Sequence, residues 1–148
     1  MQVMNTVFGA GMTSKLFMNV RDRLSLCYSI GSGYYGSKGL VTVSAGIDFA
    51  KEQQTREEIT RQLDAIREGD ITDDELTSAK EAILSSLRST HDSPGAIEGY
   101  YATAALSGMG LTPAQYMDAV RAVTADQVAQ AARELRLHTT YFLKGVTA

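Results

Sequence analysis

Apolar positions change their period along the chain, and the changes mark its elements. Met1, Met4 and Phe8 recur at helical spacing, and Gly9 stops that short helix. Gly9-Ala10-Gly11-Met12-Thr13 reads as a flexible joint, since glycine leaves the backbone free. Ser14 is placed to cap a second helix carrying Leu16, Phe17, Val20 and Leu24. Residues 27–35 and 40–48 then alternate as strands around Gly36-Ser37-Lys38-Gly39, the signature of a β-hairpin. In the second strand Val41, Val43, Ala45 and Ile47 alternate with Thr42, Ser44 and Gly46, so one face is expected to be buried and the other small or polar.

From Lys51 the spacing becomes helical. A helix over residues 52–68 shows a narrow stripe of Ile59, Leu63 and Ile66 and ends at Gly69. Thr72-Asp73-Asp74-Glu75 is a capping box, followed by Leu76, Ala79, Ile83 and Leu87 on one face. Ser93-Pro94 opens a helix running to Gly108, and Thr112-Pro113 opens another. Thr124-Ala125-Asp126-Gln127 is a second capping box, heading a helix with Val128, Ala131, Ala132 and Leu135. Residues 138–143 are expected to close the chain as a third strand. Strands and helices are segregated, which implies an α+β fold, a mostly antiparallel sheet with helices packed on one face. Three strands are few for so many helices, so a strand is expected to be missing ahead of Met1. No repeat, low-complexity tract or linker divides residues 1–148, which read as one domain.

Composition narrows the class. The chain has 148 residues, 44% hydrophobic and 21% charged, with a net charge of −3. That fits a soluble globular protein with a sizeable core and argues against nucleic-acid or anionic-membrane partners, which call for a basic stripe. No apolar run approaches the roughly 18 residues of a membrane span, and no leader pattern is visible. A single cysteine, Cys27, excludes an internal disulfide and suits a reducing compartment, so a cytoplasmic location is expected.

Most candidates for chemistry have a structural explanation. Gly9-Ala10-Gly11 follows a helix, whereas a phosphate loop follows a strand. His91 and His138 are far apart and form no zinc spacing, so both read as surface groups. Cys27 beside Leu26 reads as a small core residue. Glu57, Glu58, Asp73, Asp74 and Glu75 fall at helix starts or exposed faces, where the helix dipole accounts for them. On the first strand Cys27, Ser29, Gly31 and Gly33 are expected to share a face of small residues that allows close approach. Arg21 and Tyr28 remain: an arginine ending one helix and a tyrosine opening the next strand can converge as a fixed cation and a phenol.

The segment Ser14-Lys15-Leu16-Phe17 through Val20-Arg21 to Ser25-Leu26-Cys27-Tyr28 resembles the C-terminal half-domain of insulinase/pitrilysin-type zinc peptidases. Thr72 to Lys80, Leu111-Thr112-Pro113 with Tyr116, and Val123 to Val128 resemble later stretches of the same half-domain, in the same order. The resemblance implies a division of labour. Zinc, its ligands and the general base come from an H-x-x-E-H half, and the second half closes over it. Arg21 and Tyr28 would be the trans-acting pair, both substrate-binding and catalytic, gripping the peptide backbone and the tetrahedral intermediate. The H-x-x-E-H motif is absent from this sequence, so no metal or cofactor is expected in this chain and zinc is expected in a partner half-domain or homologous subunit. Ser-Leu-Cys-Tyr resembles bacterial members whose zinc site is itself degenerate, so a non-catalytic peptidase-like scaffold is the alternative. The resemblance also implies a fragment of a longer protein, whose exposed sheet edge would template pairing with another copy.

Overall fold

The computed structural model describes residues 1–145; the side chain of His91 is also outside the described set, and the reading of that residue as a surface group with it. Helix α1 (Gln2–Phe8) is buried on nearly every side, from Val3 to Phe8, and packs against a hairpin, β1 (Cys27–Tyr35) and β2 (Leu40–Ile47), and three later helices. Those are α2 (Glu52–Glu68), α3 (Asp73–Ser89) and α6 (Ala125–Arg133), with α4 (Pro94–Leu106) and α5 (Pro113–Ala122) between the last two. The predicted capping boxes at Thr72 and Thr124 form, and Thr112 with Gln115 makes a third. Pro94 takes the first helical position of α4, and Gly39 turns the hairpin at φ +59°, where a side chain is strained. The α+β class holds, with the helical layer on one face of an antiparallel sheet.

Four expectations need correction. The second helix is a π-helix over Leu16–Arg23, wound wider than an α-helix; Leu16 and Val20 are fully buried, but Leu24 closes the helix and is largely exposed. Residues 138–143 do not join the sheet, so among the described residues it has two strands. That segment docks through side chains instead of ladder bonds. Phe142 packs on Phe49 with ring centroids 5.8 Å apart, and the Lys144 ammonium lies 3.9 Å from the centre of the Phe49 ring. Glu58 is buried, not on an exposed face. The inward side of α2 is polar as well as apolar: Thr55, Glu58 and Gln62 accompany Ile66. Asn19 of the π-helix donates to Gln62 Oε1 at 2.7 Å, Gln62 donates to Glu58 Oε1 at 2.6 Å, and Arg61 donates to Glu58 Oε2. The burial of Glu58 is tolerable because each carboxylate oxygen has a donor.

The last correction concerns Gly9. Its φ of −156° suits any residue, so backbone freedom is not why glycine stands there. Close approach is. A Cβ would sit 2.7 Å from both Leu16 Cδ1 and Ser32 Oγ, and the Gly9 carbonyl accepts the Ser32 N–H at 2.9 Å. The Ser32 hydroxyl donates to the Asn5 carbonyl at 3.2 Å, so α1 is bonded twice to β1. Ser14 meets its predicted role as a cap, accepting the Phe17 N–H at 3.4 Å, and Lys15 beside it is buried against Glu75 at 3.0 Å.

Two substitutions test these backbone readings in denaturant unfolding. Gly9→Ala forces Leu16 or Ser32 aside and is expected to destabilise by about 1–3 kcal/mol; an unchanged midpoint would contradict the close approach. Ser25 holds φ +49° with a side chain, so Ser25→Gly is expected to stabilise by about 0.5–1 kcal/mol after the entropy of glycine is counted. A lower midpoint for Ser25→Gly would show the residue unstrained.

Candidate functional site

Three main-chain bonds close the π-helix and aim the chain at β1. The Leu24 N–H reaches the Asn19 carbonyl at 3.2 Å, the Ser25 N–H reaches Arg21 at 3.0 Å, and the Leu26 N–H reaches Val20 at 3.0 Å. Arg21 occupies the last turn of this helix, and Tyr28 is the second residue of β1. The strand register then slips. Cys27 pairs with Ile47 and Ser29 with Gly46, leaving Tyr28 as an extra residue in a β-bulge. The bulge separates Cys27 from Ser29, which strict alternation would have put on one face: Cys27 is 8% exposed and buried, whereas Ser29, like Tyr28, is exposed.

The expected face of small residues changes accordingly. Ser29, Gly31 and Gly33 share a side with their partners Gly46, Ser44 and Thr42, because directly paired residues point the same way. Cys27 lies on the other side of the irregularity and joins the core cluster.

Arg21 and Tyr28 are brought together, through the tyrosine main chain. The Arg21 Nε–H donates to the Tyr28 carbonyl at 3.1 Å, and the guanidinium lies 4.4 Å from the centre of the Phe17 ring. Phe17, read from sequence as part of the core stripe, is half-buried and forms a platform beneath the cation. The Tyr28 hydroxyl donates to Asp48 Oδ1 at 2.7 Å. That hydrogen bond, the charge of Asp48 and slight desolvation, in that order, hold the phenol above its ordinary pKa. Lys51 donates to the Ser25 carbonyl at 2.7 Å and stands 4.0 Å from Asp48 Oδ2. Arg21, Ser25, Tyr28, Asp48 and Lys51 line one open cavity of about 540 Å³. Chemically it offers a preorientated guanidinium, an ammonium, a phenol and a carboxylate.

Asp48 and Lys51 are functional candidates that sequence reasoning passed over. The hairpin gave a signal for Asp48. Counting back from the glycine turn sets the end of β2 level with the start of β1, beside Tyr28. For Lys51, which reaches the site from a short 3₁₀ turn (Phe49–Lys51), the sequence carries no comparable signal.

The other candidates stay structural. Burial pushes the Cys27 thiol up, against the opposing pull of Arg21 and Lys51, so at neutral pH it is a protonated core group. His138 is exposed and bonded to the neighbouring Thr139 hydroxyl at 2.7 Å. Among the described residues no group of three His, Cys, Asp or Glu side chains is placed to hold a metal, so those residues do not fit a zinc ion. No described helix is long and apolar enough to cross a membrane.

Comparison with known proteins places this geometry. The family profile described as "Peptidase M16 inactive domain" matches residues 1–83. The chain is similar to the probable inactive metalloprotease YmfF of Bacillus subtilis, 30% identical over 98% of this chain and 34% of that protein. It is also similar to the uncharacterized zinc protease YmxG of the same organism, 36% identical over 57% of this chain and 21% of that protein. Among solved structures, a conserved protein from Enterococcus faecalis V583 superposes with a TM-score of 0.83 and 32% identity, over 89% of this chain and 31% of its own. A Helicobacter pylori protease shares the fold at TM-score 0.78 and 19% identity, over 90% of this chain and 33% of its own. The chain spans about a third of the length of YmfF and of both solved neighbours. With the profile covering more than half of its residues, the chain belongs to the peptidase M16 family, the insulinase/pitrilysin type, as its inactive C-terminal half-domain.

Proposed function

We propose that this half-domain clamps peptide substrate for an insulinase-type zinc metalloendopeptidase, with Arg21 and Tyr28 holding the peptide backbone. Zinc and the general base come from another domain or a homologous subunit, since the H-x-x-E-H motif is absent here. Zinc held there would supply Lewis-acid chemistry, and the residues of this chain bind and orient the peptide. The reading rests chiefly on the posture of Arg21. Its Nε is spent on the Tyr28 carbonyl and its face rests on Phe17, while among the described residues its terminal nitrogens have no partner. A guanidinium held this way presents N–H donors of fixed direction to a carbonyl oxygen, with little side-chain freedom left to lose on binding. A location in the cytoplasm belongs to the same proposal.

A second reading is a peptidase-like module that binds a peptide or partner without cutting it. The name of the Bacillus subtilis relative, a probable inactive metalloprotease, favours it. Both readings need the cavity; only the first needs a zinc-bearing partner.

Peptide cleavage by the protein joined to a zinc-bearing half-domain separates them. Arg21→Ala is expected to lower turnover by roughly 10²–10³, the usual loss for one donor to a developing oxyanion. Near-wild-type turnover in both Arg21→Ala and Tyr28→Phe would remove the pair from catalysis.

A further inference from the structure

We propose that Asp48 fixes the Tyr28 hydroxyl as a hydrogen-bond acceptor, so that Arg21 and Tyr28 together read one interior peptide unit of an extended chain, its carbonyl on Arg21 and its N–H on the phenol oxygen. The proposal rests on the clamp reading and changes what the tyrosine does within it.

A phenol carries one hydrogen, and here it is directed at Asp48 Oδ1 at 2.7 Å. What remains on that oxygen is lone-pair capacity. Donation to a carboxylate enriches the phenol oxygen and makes it a better acceptor, because bonds in series polarise one another. Asp48 is itself held in place: Lys51 stands 4.0 Å from its other oxygen while anchored on the Ser25 carbonyl at 2.7 Å. The phenol pKa is raised chiefly by the bond to Asp48, so the proton stays on Tyr28 well above neutral pH.

Arg21 has the opposite character. Guanidinium donates and never accepts, and the terminal nitrogens of Arg21 have no partner among the described residues. One cavity thus holds donors on Arg21 and an acceptor on Tyr28, the two kinds of group a peptide unit needs. A terminal carboxylate has no N–H to offer the phenol oxygen, so an amide within the chain uses both groups and a carboxyl end uses only Arg21.

Fluorescence binding of a labelled decapeptide of Ala, Ser and Val to the protein tests this, with each peptide amide replaced in turn by an ester to delete one N–H. One ester position is expected to weaken binding roughly five- to tenfold, the range of one neutral hydrogen bond. In Tyr28→Phe that position is expected to become silent. In Asp48→Ala, where the hydroxyl is no longer oriented and can donate elsewhere, the ester penalty should shrink. Asp48→Asn should retain it, because a carboxamide oxygen still accepts the phenol proton. A scan that is flat in the wild type, or a penalty undiminished in Tyr28→Phe, overturns the acceptor role; a penalty undiminished in Asp48→Ala overturns the part given to Asp48. Failure of the decapeptide to bind at all overturns the clamp reading and the acceptor role with it.

Discussion

The candidate site depends on one backbone irregularity, the extra residue that β1 carries at Tyr28. Without the bulge, alternation would put Cys27 and Ser29 on one face and pair Tyr28 as an ordinary sheet residue. With it, Cys27 turns into the core while Tyr28 and Ser29 are both exposed, and the unpaired Tyr28 offers its main-chain carbonyl to Arg21. The irregularity is secured from both sides. The left-handed Ser25 directs the chain out of the π-helix, and Lys51 pins the Ser25 carbonyl from the far end of the hairpin. A strained residue and a bulge side by side are what a site needs when two side chains must be aimed from a short segment.

Rigidity behind the bulge comes from two contacts of different kinds. The first is steric and backbone-bonded, where Gly9 and Asn5 of the α1 region seat Ser32 and hold the hairpin on the helical layer. The second is polar and buried. Asn19 donates to Gln62 on α2, which in turn donates to Glu58, and this fixes the rotation of the π-helix two residues before Arg21. Such a network contributes little net stability but admits few alternative packings, since any other rotation would part the Asn19 amide from the buried Gln62 oxygen. Arg21 is thereby positioned by residues that never touch the cavity.

How much of this was legible in the sequence follows from the range of each interaction. Capping residues act over three positions, so Thr72 with Glu75 and Thr124 with Gln127 could be read directly. Apolar alternation gave β1 and β2, and the glycine turn set their register. The helix holding Leu16 and Val20 was visible, but not its π winding, because both windings bury residues four apart. Glu58 looked exposed because its partners, Arg61 and Gln62, are ordinary helix neighbours, and only the packing of the π-helix, whose Asn19 bonds Gln62, buries that face. Residues 138–143 have the composition of a strand, yet a strand also needs a neighbour's free edge, which composition does not report. The Arg21 and Tyr28 pair was found through resemblance and spacing; that its two members meet through a main-chain carbonyl, with the hydroxyl given to Asp48, required the fold.

Family membership and geometry thus leave a half-domain whose candidate site is an open cavity at the bulge, with no metal-binding cluster among the described residues. Its central claim is that peptide backbone is gripped at the bulge. Titration of the ¹⁵N-labelled protein with an unstructured peptide tests it most directly, with the amide spectrum and the Arg21 Nε–H followed by NMR. Peptide held at the bulge is predicted to shift the Arg21 Nε–H and the amides from Ser25 to Ser29 and of Asp48 first and furthest, and to leave α5 and α6 unchanged. Saturable binding that shifts another surface while those signals stay in place would contradict it.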